Sequence, residues 1–177
     1  AADVDGDNFN DVVVAAVDDQ YIVWFHVDDI RTDKERWSYE PIVEGVQVPV
    51  DTWAGDFDGD GDVDFVAGGL ENVILAWYEN ADGAGETWRA RVILADIDEG
   101  TWEISVGDVD GDGDLDVLTA SRWSRATMVA WYENDGNATG WTDRVVSDRF
   151  PTRGATGAAT ADVDGDNFND VVVAAVD

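Results

Sequence analysis

The segments DVDGDNFND (Asp3–Asp11), DFDGDGDVD (Asp56–Asp64), DVDGDGDLD (Asp108–Asp116) and DVDGDNFND (Asp162–Asp170) decide how this chain is read. Their first residues lie 53, 52 and 54 positions apart, so the chain is an array of units rather than one irregular domain. An apolar run of strand length follows each segment: VVVAAV from Val12, FVAGGL from Phe65, VLTAS from Val117 and VVVAAV from Val171. A second run follows as YIVWFHV from Tyr21, VILAWYEN from Val73 and TMVAWYEN from Thr127, rich in the aromatic and β-branched residues that favour strands. A third begins at Trp37, Trp88 and Trp141, and a fourth, such as TWEISVGD with Trp102, Ile104 and Val106 on one face, leads into the next acidic segment.

Four short strands in a unit of about 50 residues are the pattern of a β-propeller blade, and less often of a stacked solenoid. The fold class expected is all-β, with four-stranded antiparallel blades, about three of them plus a partial one. The whole of 1–177 is one repeat region, with units of approximately 1–53, 54–105 and 106–159 and a partial unit over 160–177. Small residues recur at Ala15-Ala16, Gly68-Gly69, Ala120-Ser121 and Ala174-Ala175, which suits a strand crowded near a central axis or, more plainly, marks a strand end.

Within each acidic segment, positions 1, 3, 5 and 9 are always aspartate, and position 4 is Gly6, Gly59, Gly111 or Gly165. Position 6 is glycine or asparagine, so two positions tolerate left-handed backbone and the loop can wind tightly. Winding brings like charges together. Two carboxylates about 4 Å apart repel by roughly 4 kcal/mol at an effective dielectric of 20, and a hard divalent cation reverses that sign. The shell expected from the residues is four aspartates, the carbonyl oxygen of position 7, and water. Calcium suits such oxygen donors, magnesium retains its water, and zinc prefers nitrogen or sulfur. A solvated acidic turn is the plain alternative, but scattered surface charge would not repeat at the same four positions. An EF-hand needs glutamate at position 12, where this chain has Val14, Ala67, Thr119 and Val173.

The ninefold spacing, the strand after it, and the segments VAWYENDG after Met128 and LAWYENADG after Ile74 resemble the FG-GAP/VCBS repeats of calcium-binding β-propellers, found in integrin α-subunit heads and secreted bacterial proteins. The resemblance implies one Ca²⁺ per loop, three to four in all, held between the first and second strands of a blade. It carries the ligands onto Asp3, Asp5, Asp7 and Asp11 with the carbonyl of Phe9, and onto Asp56, Asp58, Asp60 and Asp64 with that of Asp62. It carries them likewise onto Asp108, Asp110, Asp112 and Asp116 with the carbonyl of Asp114, and onto Asp162, Asp164, Asp166 and Asp170 with that of Phe168. It implies a non-catalytic platform for adhesion or for recognition of protein or glycan. A fragment of a secreted polysaccharide lyase-like enzyme and a structural spacer are the alternatives.

Composition narrows the partners. Forty acidic residues against ten lysines and arginines give a formal charge of −30, which disfavours nucleic acid and anionic membranes. Eighteen of the acids lie in the four loops, so 22 still face ten bases once the loops are set aside. There is no cysteine and one histidine, His26, which excludes disulfides, thiol catalysis and multi-histidine metal sites. No apolar run reaches the eighteen or so residues of a membrane span. Ala1 opens without a basic, apolar leader, which places any targeting signal outside this segment. Calcium loops of the weak extracellular class favour an extracellular or cell-surface location. His26 stands where other units carry Glu79 and Glu133 and reads as an ordinary strand position. Trp24, Trp77 and Trp131 read as core, and burial is favoured for Trp53, Trp102 and Trp123 over stacking on sugars. No catalytic residue is assigned.

Residues 2–18 and 161–177 are identical at all seventeen positions, whereas 2–18 match 55–71 at six. The chain therefore reads as an excerpt of a longer repeat protein, its ring closed by further blades or by pairing of three-bladed chains into a six-bladed ring.

Overall fold

The computed structural model describes residues 1–16, 20–27, 37–44, 49–69, 74–95, 103–120, 129–147, 154–166 and 168–176. Among them are thirteen strands and no helix: β1 (Val12–Ala16), β2 (Tyr21–Val27), β3 (Trp37–Glu44), β4 (Pro49–Gly55), β5 (Asp64–Gly69), β6 (Ile74–Asn80), β7 (Trp88–Ala95), β8 (Glu103–Gly107), β9 (Asp116–Ala120), β10 (Val129–Asn134), β11 (Trp141–Ser147), β12 (Gly154–Ala161) and β13 (Asp170–Val176). They form four antiparallel sheets, β1-β2-β3, β4-β5-β6-β7, β8-β9-β10-β11 and β12-β13, each an unclosed blade in chain order. Each four-stranded sheet takes its first strand from the stretch before an acidic segment, so that segment is the hairpin loop joining a blade's first and second strands.

Burial grades across each blade. Every residue of β5 and of β9 is buried, because these second strands lie between two strands in their own sheet and between two sheets face to face. The alternation of a strand then divides its side chains between two cores. Phe65 and Ala67 join Ile22, Ala76 and Tyr78 against the first sheet, while Val66 joins Phe57, Leu75, Trp77, Ile104, Val117 and Tyr132 against the third. In β9 the same division sends Val117 to that central core and Leu118 and Ala120 to a third core with Val129, Ala155 and Ala158. The fourth strands face outward, with Val92 58% and Val145 57% exposed. There charge replaces packing: Glu79 takes hydrogen bonds from Arg89 at 2.8 Å and Arg91 at 3.0 Å, and Glu133 pairs with Arg144. Arg91 and Arg144 also lie over Trp77 and Trp131 at 5.4 and 5.5 Å.

One expectation is corrected. Trp53 is 45% exposed: β4 is the edge of its sheet, and the indole, opposite Val66, lines an open cleft with Glu103, Ile104 and Thr160. The small pair Gly68-Gly69 marks the end of β5, where every residue is buried. Trp102 and Trp123 lie outside the described residues. Trp24 and Trp77 are buried as expected, and Trp131 packs against the third core.

One hydrogen-bonding residue joins consecutive blades. The buried Asn134 side chain donates to the carbonyl of Phe57 at 2.7 Å in the preceding loop and to Leu115 at 3.1 Å in its own, and accepts from Ala138 N–H at 2.9 Å. Asn80 does the same one blade earlier, donating to Val4 at 2.9 Å. Replacing Asn134 by alanine strands these buried groups, and we expect a loss of about 3 kcal/mol in urea unfolding, against almost none for Asp143→Ala on the exposed strand β11. Equal effects would remove the asparagine from this role.

Candidate metal centres

Each acidic loop is wound by its own carboxylates. The aspartate at position 1 accepts the N–H groups of positions 4 and 6, as in Gly59 to Asp56 at 2.8 Å and Gly61 to Asp56 at 3.1 Å. The aspartate at position 3 accepts the N–H of position 5, and that at position 5 accepts the N–H of position 7, as in Asp112 to Asp110 at 3.3 Å and Asp114 to Asp112 at 3.0 Å. Such bonds require left-handed turns, and Gly59 and Gly61 sit at φ 76° and 95°, with Asn8 at 71° in the first loop.

The aspartate at position 9 has a different task. Asp11, Asp64 and Asp116 are about 1% exposed, at the start of the second strand. Asp64 accepts Phe57 N–H at 3.3 Å, the indole N–H of Trp77 at 3.1 Å, and the backbone N–H of Asn80 at 2.8 Å. Asp116 repeats this with Val109 at 2.9 Å and Asn134 at 2.9 Å. One carboxylate thus ties the loop's entry to its exit and to the end of the third strand. The sequence singled out position 9 as a candidate ligand, but it did not show its burial or its asparagine partner. The recurrence of Tyr-Glu-Asn at residues 78–80 and 132–134 was the signal, taken from sequence as the announcement of a turn.

Oxygens from positions 1, 3 and 9 converge within 4.8 Å of one another in all four loops: Asp3, Asp5 and Asp11; Asp56, Asp58 and Asp64; Asp108, Asp110 and Asp116; Asp162, Asp164 and Asp170. The fifth-position residues Asp7, Asp60, Asp112 and Asp166 stand outside these triads and serve the N–H of position 7, which belongs to Phe9, Asp62, Asp114 and Phe168. In the first loop, Asp3 Oδ1 and Asp11 Oδ1 are buried without a hydrogen-bond partner. Unpaired buried carboxylate oxygens facing a third carboxylate fit a bound cation, which would complete them both. These oxygens are hard donors with no nitrogen or sulfur among them, a set compatible with calcium.

Electrostatics point the same way. Burial pushes Asp64 up to about 7 and Asp116 up to about 6, against the opposing pull of the N–H groups from Asn80 and Asn134. Asp5, Asp58 and Asp110 are also raised, first by burial and then by the neighbouring carboxylates. Glu79 moves the other way. Burial would raise it, but hydrogen bonds from Arg91 and Arg89 prevail and hold it below the ordinary carboxylate range.

His26 stacks on Trp24 with ring centroids 4.5 Å apart, and both line a cleft of about 600 Å³ beside Asp5, Glu40, Glu86 and Trp88.

With loop and blade geometry established, the family follows. Residues 56–119 and 108–173 each match the FG-GAP-like repeat, together spanning about two thirds of the sequence. The chain belongs to the FG-GAP-like repeat family. A search of curated proteins finds no match.

The raised aspartates fix the sign of a pH effect in the metal-free protein. A carboxyl whose folded value lies above its unfolded one contributes stability below about pH 4 and loses it as the pH passes the folded value. In chelator, the unfolding free energy read by urea titration should therefore fall as pH rises from about 4 through 6 and 7, by a few kcal/mol in total at about 1.4 kcal/mol per unit. The fall should be smaller in Asp64→Asn and Asp116→Asn. A wild-type curve that is flat or rising over this range would contradict the site's electrostatics.

Proposed function

We propose that the chain is a calcium-binding, non-catalytic β-propeller segment of a secreted or cell-surface protein, in which the ions hold the blades rigid as a platform for adhesion or for recognition of protein or glycan. One observation carries the metal part: three carboxylate oxygens within 4.8 Å, repeated in four loops. Such a cluster is unfavourable empty and favourable around a divalent ion. Calcium loops of the weak extracellular class would be filled outside the cell, which is the location proposed. The cleft lined by Asp5, Trp24, His26, Glu40, Glu86 and Trp88 adjoins the first triad and is the candidate contact surface for a ligand, with the ion at Asp5 holding one wall. The ring stacking of His26 on Trp24 supports a packing role for the histidine rather than a catalytic one.

Calcium binding the folded loops alone raises stability by mass action, about 2.7 kcal/mol per site at a hundredfold excess over its dissociation constant. Calcium should raise the melting temperature of the wild-type chain, and Asp58→Ala or Asp110→Ala should reduce that rise. The same change at exposed Asp143 should leave it intact. Differential scanning calorimetry with and without calcium reads this directly, and equal responses at all three positions would defeat the proposal.

A further inference from the structure

The hairpins β2-β3, β6-β7 and β10-β11 are equivalent outer halves of their sheets, and each carries a tryptophan at the same place: Trp24, Trp77 and Trp131. Across the strand pair, Arg91 stands opposite Trp77 and Arg144 opposite Trp131. Each arginine lies over its ring and bonds a glutamate two residues beyond the tryptophan, Arg91 to Glu79 at 3.0 Å and Arg144 to Glu133. Two blades thus supply their own cation to a ring and a carboxylate.

The first blade breaks this pattern. Glu40 stands opposite Trp24, His26 takes the place of Glu79 and Glu133, and β3 contains no arginine or lysine. The cleft of about 600 Å³ opens at this place, between the first and second sheets. Trp24 and His26 of β2 and Glu40 of β3 form one wall, Glu86 and Trp88 of the second blade form the other, and Asp5 of the first acidic loop closes an end. Gly85 sets the walls' approach: a Cβ there would stand 2.8 Å from the Trp24 indole, and φ of 72° is a backbone that glycine adopts readily.

No lysine or arginine is among the described residues lining the cleft, and among the described residues neither Glu40 nor Glu86 has an ion pair. Both glutamates are exposed. Asp5 belongs to the first triad, so an ion there would take up its charge and leave Glu40 and Glu86 as the anionic walls. Carboxylates beside aromatic rings attract a cation, and a planar guanidinium suits them best, stacking on a ring while its N–H groups reach carboxylates at its edges. We propose that this cleft takes an arginine side chain of a partner protein, held between Glu40 and Glu86 against the aromatic wall of Trp24, His26 and Trp88. The proposal rests on the reading of the chain as a recognition platform and names what that platform holds: a basic protein segment rather than a neutral glycan.

His26 is the single histidine of the chain, so its ring protons give one set of NMR signals from inside the cleft. Titrating the calcium-loaded chain at fixed pH with an acetylated and amidated glycine pentapeptide bearing one central arginine should shift them saturably. The same peptide with citrulline, neutral and of the same shape, should leave them in place. Glu40→Gln and Glu86→Gln should each weaken binding by about two- to fivefold, the range of one exposed ion pair. Glu40→Arg, which gives the first blade the arginine of the other two, should abolish it. Asp143→Asn on the exposed strand β11 should change nothing, which separates the cleft from general attraction to a chain of formal charge −30. The absence of a saturable shift, an equal response to citrulline, or indifference to Glu40→Arg would overturn the proposal. So would a response to a neutral sugar in place of the arginine peptide. The arginine and citrulline arms use the wild-type chain and decide the matter even where a variant fails to fold. The calcium-induced rise in melting temperature reads the metal proposal separately: a rise without arginine binding overturns this inference alone, and arginine binding without a rise supports it.

Discussion

Like charges folded onto one another are the constraint on which this structure turns. Every acidic loop brings three aspartate oxygens within 4.8 Å, and in the first three loops the third belongs to a carboxylate buried at the base of the second strand. Backbone N–H groups offset part of the repulsion by bonding the outer oxygens of each loop, and glycine or asparagine at the left-handed positions makes that bonding reachable. Burial raises the carboxyls of Asp64 and Asp116, with a smaller contribution from the neighbouring Asp58 and Asp110, and in the first loop oxygens of Asp3 and Asp11 are left unpaired. A divalent cation is the single addition that answers all of these features at once.

The loop matters beyond its own hairpin because position 9 hands the constraint onward. Asp64 holds the Asn80 backbone, the Asn80 side chain holds the carbonyl of Val4 in the preceding loop, and Asp116 with Asn134 repeats the relay one blade later. The asparagine side chains therefore join loops of neighbouring blades, while Phe57 seals the join from within the central core. Rigidity of a platform built this way depends on the loops being wound. A cation held at the triads would act on the register between blades as well as within them.

Much of this was legible in the residues. Spacing of the acidic segments and the composition of the runs between them gave the all-β class and the four-stranded units, and the family resemblance implied the loop's place between first and second strands. The triad at positions 1, 3 and 9 was contained in the ligand set, whereas position 5 belongs to the winding of the loop rather than to the converging group. Trp53 was misjudged because an aromatic residue in a strand pattern carries no mark of whether its strand is an edge. The Asn80 and Asn134 joins were missed for a related reason. Asparagine before a turn looks the same whether its side chain caps that turn or reaches another blade, and only the stacking of sheets brings residue 80 to residue 4.

The most direct test of the central claim is a crystal structure grown in calcium and measured where calcium scatters anomalously. The account predicts a peak among the carboxylates of Asp56, Asp58 and Asp64, with its equivalents in the other three loops. Wound loops whose triads hold only water under those conditions would contradict it.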